Sequence, residues 1–97
     1  MSRLLRTSQA NEDLLEIWTW IALEQETPER ADYVLRELDS VAKFLAENPL
    51  LGQTADQYRP GLRMYPKWNF ILFYEPLDDG ILIYRVLHGA RSLEELL

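Results

Sequence analysis

The chain has 97 residues, 47% hydrophobic and 27% charged, which describes one soluble globular domain over residues 1–97 and leaves no length for a two-domain enzyme. Its net charge of −6 gives the whole molecule no pull on nucleic acid or an anionic membrane, so any anion site must be local. With no cysteine there is no disulfide frame, no thiolate chemistry and no cysteine-held zinc, as expected of a cytoplasmic protein, and no apolar run approaches the roughly 18 residues of a membrane span.

Arg3-Leu4-Leu5-Arg6 precedes a helix start and reads as a short edge strand flanked by arginines. With Ser8 as N-cap, the stretch that follows places Ala10, Leu14, Ile17, Trp18, Ile21 and Ala22 at helical spacing, with Glu12 and Asp13 in the first turns, where the helix dipole favours acid. Thr27-Pro28-Glu29 opens a second helix, because proline suits the first helical position. Its apolar stripe runs through Ala31, Val34, Leu35, Leu38, Val41, Ala42 and Leu45 until Asn48-Pro49 stops it. The short connection makes the two helices an antiparallel pair.

Beyond Gly52 the chain is polar and aperiodic as far as Gly61, and then becomes aromatic and β-branched. Leu62 to Tyr65 reads as a short strand. WNFILFYE from Trp68 and ILIYRVLH from Ile81 read as two longer ones, joined by a loop over Pro76 to Gly80. Both longer strands are apolar on both faces, so one face meets the helix pair and the other needs a second cover. The ARSLEELL ending suits one or two helical turns. The fold expected is α+β, in the order β-α-α-β-β-β, with a helical hairpin on a small antiparallel sheet.

The charge is unevenly distributed. Residues 1–50 hold five basic and ten acidic groups, whereas residues 51–91 hold five basic and four acidic. Arg63, Lys67, Arg85, His88 and Arg91 therefore mark the part of the chain where an acidic or anionic partner would be met, with ordinary surface ion pairing as the alternative. Arg85 interrupts an apolar strand face and must be paired or reach solvent. A bridge to Glu75 across the hairpin and a guanidinium offered to a phosphate or carboxylate both satisfy that need. His88 is the only histidine, so no histidine metal cluster can form, and no residue pattern calls for a metal or cofactor. No nucleophile elbow or glycine-rich phosphate loop is present. Trp18 and Trp20 lie about 200° apart around a helix and cannot both face the core, which assigns Trp20 to a partner-facing surface.

The chain resembles the ParE toxins of the RelE/ParE superfamily of bacterial toxin–antitoxin modules. The resemblance rests on ANEDLLEIWTWI at 10–21, NPLLG at 48–52, GLRMYP at 61–66 and, above all, YRVLHGAR at 84–91 after a strand reading FILFYE. It implies a toxin of a type II module, held inactive by a ParD-like antitoxin that lays an amphipathic segment against it. In the ParE branch such toxins inhibit DNA gyrase and block replication. In the RelE branch they cut messenger RNA on the ribosome with a cluster of cations and a general acid or base.

The acidic charge, the two lysines and the Glu94-Glu95-Leu96-Leu97 ending fit the cleaving branch poorly, because RNA cleavage needs several cations around the phosphate. The reading adopted is a non-enzymatic gyrase inhibitor without direct nucleic-acid or membrane contact. Arg63, Lys67, Arg85, His88 and Arg91 are assigned to the target. Leu14, Trp18, Trp20, Ile21, Leu35, Leu38, Ile71, Phe73, Leu82 and Tyr84 are candidates for the antitoxin groove. The alternatives are a ribonuclease using Arg63, Arg85 and His88, and a degenerate toxin that retains only antitoxin binding.

Overall fold

A computed structural model describes residues 2–89 and Leu97. Strand β1 spans Arg3–Arg6, helix α1 Ser8–Thr19, a π-helical segment Trp20–Glu24 and helix α2 Pro28–Glu47. Strands β2 (Gln53–Thr54), β3 (Arg63–Lys67), β4 (Phe70–Leu77) and β5 (Gly80–His88) follow. The five strands form one sheet in the order β1-β5-β4-β3-β2. The architecture is the expected α+β one, with three refinements. The sheet is antiparallel from β2 to β5 but gains a parallel edge, because β1 runs alongside β5. The aperiodic stretch after Gly52 supplies the two-residue β2. The first helix widens into the π segment after Thr19. The ARSLEELL helical turns fall at 90–96, outside the described residues.

Several local signals act differently from the sequence reading. Thr7, not Ser8, caps α1: its hydroxyl accepts from the Ala10 amide at 3.0 Å while donating to the Tyr84 carbonyl at 2.7 Å, so one side chain starts the helix and ties it to β5. Pro28 takes the first turn of α2 as expected, but the Thr27 hydroxyl donates to the Ile21 carbonyl at 3.1 Å and closes the π segment instead of capping the helix. Trp68 does not begin β4. It occupies, with φ +54°, the two-residue turn between Lys67 and Phe70, a left-handed position where glycine is the usual occupant. Pro76 does not open a loop either. β4 continues through it to a tight Asp78-Asp79 turn, because β3 pairs only as far as Tyr74 and leaves that side of β4 with no strand to receive an N–H.

The core has two layers. Between helices and sheet lie Ile21, Val34, Leu38, Leu45, Leu72, Tyr74, Ile81, Ile83 and Val86. The opposite sheet face is covered by the segment from Ala55 to Leu62, which buries Phe73 and Leu87 with both its end residues. This is the second cover that the doubly apolar strands require.

Candidate functional site

The carboxylate of Asp13 organises the junction of α1 with the sheet. β1 pairs with β5 only as far as Arg6 opposite Ile83. Beyond that point the β5 edge would stand open, and Asp13 from α1 takes the place of the missing strand by accepting the Val86 amide at 3.0 Å. The same carboxylate receives the Arg85 guanidinium in a two-point clasp, Nε to Oδ2 and Nη2 to Oδ1, each at 2.8 Å. The side chains are only 14% and 8% exposed, for Arg85 and Asp13 respectively. The hydrogen bonds from Arg85 to Asp13 hold the guanidinium pKa above its ordinary value against the opposing effect of burial.

Arg85 is thus paired within the chain, with Asp13 and not with Glu75, the partner the hairpin offered. The register explains why. β5 carries one extra residue, Tyr84, so that Arg85 faces Phe73 and Glu75 faces Leu82. Glu75 pairs instead with Arg59 at 3.2 Å, whose guanidinium also lies over the Tyr84 ring and donates to its hydroxyl at 3.0 Å.

Arg63 is engaged at the other side of β4. Its Nη1 donates to the carbonyls of Leu50 at 3.1 Å and Gly52 at 2.6 Å. The buried Tyr74 hydroxyl donates to the Pro49 carbonyl at 2.9 Å and accepts the Gly52 amide at 2.8 Å. Burial raises the Tyr74 pKa, opposed by the hydrogen bond from Gly52 and by the Arg63 charge. Gly52 is required here, because a Cβ would collide with the Tyr74 ring. Asn48-Pro49-Leu50-Leu51-Gly52 is thus pinned from below by Tyr74 and Arg63.

The assigned target residues do not converge on one point. Arg63 lies opposite Tyr74 on β3, Arg85 opposite Phe73 on β5, and His88 opposite Phe70. The Tyr74 and Phe70 levels are about 13 Å apart along β4. His88 packs edge-on to Phe70 with ring centres 5.8 Å apart. The Lys67 ammonium lies over the Trp68 ring at 4.5 Å and 4.0 Å from Glu37. Arg91 lies outside the described residues. Among the described residues no group of three His, Asp or Glu side chains is arranged to hold a metal ion, and no helix is long and apolar enough to cross a membrane.

Of the residues assigned to the antitoxin groove, Ile21, Leu38 and Phe73 belong to the chain's own core and are buried. Helical and strand periodicity mark an apolar face but not the depth at which each residue lies. Leu14, Trp18, Leu35, Ile71 and Tyr84 are half-buried against that core, and Leu82 on β5 is half-buried. Trp18 also donates to Asp32 at 2.9 Å. Trp20 is half exposed. Tyr33 and Trp68 line one cavity with it. Trp68 reads as a strand residue in the alternation, and Tyr33 lies off the apolar stripe of α2.

A family described as the ParE toxin of the type II toxin–antitoxin system parDE matches residues 4–93. The chain belongs to the ParE toxin family. Toxin ParE1 of Mycobacterium tuberculosis is 34% identical over 94 residues, covering 96% of this chain and 95% of the relative. Toxin ParE1 of Caulobacter vibrioides is 35% identical over 90 residues, covering 93% and 90%. A solved structure, the chromosomal ParDE TA system from P. aeruginosa, superposes with a TM-score of 0.71 over 91% of this chain and 96% of its own, at 24% identity, a likeness of fold. In this ParE chain the segment that carries the resemblance most strongly, Tyr84 to Arg91, opens with structural devices: the extra residue of β5, the Arg85 clasp and the Val86 amide held by Asp13.

Proposed function

We propose that this ParE toxin acts by binding DNA gyrase in the cytoplasm, without chemistry of its own, and blocks replication until a ParD-like antitoxin covers it. The observation that carries the non-catalytic part is the engagement of the two arginines a cleaving site would need. Arg85 is clasped by Asp13 and Arg63 is bound to two loop carbonyls, on opposite sides of β4. Stabilising a scissile phosphate calls for several cations converging on one point. A binding inhibitor needs only a folded surface. The choice of gyrase as target rests on membership of the ParE family.

The reading is tested by inducing the chain in bacteria that lack its antitoxin. Gyrase-linked chromosome breaks with intact messenger RNA are the expected result. Codon-phased cuts in messenger RNA with an intact chromosome would transfer the protein to the cleaving branch.

A further inference from the structure

The buried stripe of α2 is uneven. Val34, Leu38 and Leu45 fill it with branched side chains, but position 42, between the two leucines, is alanine. Ala42 borders a cavity of about 230 Å³ that lies between α1, α2 and the sheet. Leu14 and Leu35 line it from the helices, and Leu72, Ile83 and Val86 from the strands. Close-packed interiors hold few voids larger than a water molecule, and an apolar cavity of about 150 Å³ already accepts benzene. This one has room for an organic molecule with a single ring.

Its mouth is polar, formed by Arg6 at the end of β1, Asn11 on α1 and Asp39 on α2. Arg6 is held through its Nε, which donates to Asn11 Oδ1 at 3.0 Å, and Asp39 through its Oδ2, which lies 2.9 Å from the Lys43 ammonium. Between these two held groups, Arg6 Nη1 and Asp39 Oδ1 stand 3.9 Å apart, beyond hydrogen-bond length. The side chains are 42% and 40% exposed, so water screens their attraction and the mouth is closed only weakly. One hydroxyl oxygen placed between them reaches both at about 2.8 Å, accepting from the guanidinium and donating to the carboxylate. A carboxylate in that place would face Asp39 and an ammonium would face Arg6, so the mouth selects a neutral head.

We infer that this cavity is a binding site for a small neutral alcohol or phenol, whose ring or branched chain packs against Leu35, Leu72 and Ile83 and whose hydroxyl bridges Arg6 and Asp39. The lining comes from both helices and the sheet, so the site exists only in the folded chain and its occupant stabilises the fold by mass action. The inference is independent of which enzyme the toxin inhibits.

The test uses the full chain with labelled methyl groups, titrated with benzyl alcohol and with toluene, which has the same ring and no hydroxyl. Benzyl alcohol is expected to move the methyl signals of Leu35, Ile83 and Val86 and to raise the melting temperature with its concentration. Toluene should move the same signals with about tenfold weaker affinity, because it makes neither hydrogen bond at the mouth. Ala42→Leu fills the cavity and should abolish binding of both. Asp39→Ala, a change at the partly exposed mouth, should bring benzyl alcohol down to the affinity of toluene and leave toluene unchanged, which keeps the test decisive if the filled variant folds poorly. Equal affinity of the native chain for the two molecules overturns the inference. So do methyl shifts confined to residues outside the cavity, and an unchanged spectrum up to the solubility limit of benzyl alcohol.

Discussion

Asp13 and Arg85 make a separable prediction at the scale of single residues. Removing one member of a nearly buried, two-point ion pair leaves the other charge desolvated and unmatched, which costs about 3–5 kcal/mol. Asp13→Ala should fall at the upper end, because it also strips the Val86 amide of its acceptor. The pair of single variants and the double variant, unfolded in urea, should show that the double loses clearly less than the sum of the singles. Additive losses would mean that the clasp carries no coupling. A toxicity defect in Arg85→Ala is interpretable as a lost target contact only after this stability loss has been measured. Tyr74 gives a pH prediction. Its pKa in the fold is raised above 10.0, so the unfolded chain releases the proton first as pH rises. The stability linked to it is fully present below pH 10.0 and is lost as pH climbs through the folded value. Tyr74→Phe should flatten part of that alkaline decline and cost about 1–3 kcal/mol at neutral pH by leaving the Pro49 carbonyl and the Gly52 amide unpaired. An alkaline unfolding curve identical in the two proteins would contradict the assignment.

At the scale of elements, the β1–β5 pairing depends on Gly80, where a Cβ would fall on the Arg3 backbone. Gly80→Ala should therefore free β1 while sparing the hairpin of β4 and β5. Amide exchange should quicken at Leu5 and Thr7 and stay slow at Leu72 and Val86. Uniform loss of protection would show that β1 is integral to the cooperative unit. The elements most legible in the sequence were those with a periodic apolar signal, namely both helices, the stop at Asn48-Pro49 and the long strands around Leu72 and Ile83. The illegible ones lack such a signal. β2 is two residues long, the π segment keeps the same apolar residues at altered spacing, and the β3–β4 turn contains no glycine to announce it. The extra residue of β5 is invisible to an alternation count, so the spacing offers Glu75 as one possible partner of Arg85 and gives no sign of the distant Asp13.

At the scale of the whole molecule, family membership was legible because the motifs that carry it are spread along the sequence from Ala10 to Arg91, and the family match runs over residues 4–93. The site was legible only as composition. The cations of residues 51–91 were visible, but the engagement of Arg63 on β3 by the loop carbonyls of Leu50 and Gly52, and of Arg85 on β5 by Asp13, arises from long-range contacts that spacing does not encode. Those same contacts argue for a toxin that inhibits by binding. The most direct measurement is supercoiling of relaxed plasmid by purified DNA gyrase with increasing amounts of the folded chain. The account predicts progressive loss of supercoiling that Arg85→Ala reduces no more than its loss of folded protein explains. Full supercoiling at a saturating excess of folded toxin would contradict it.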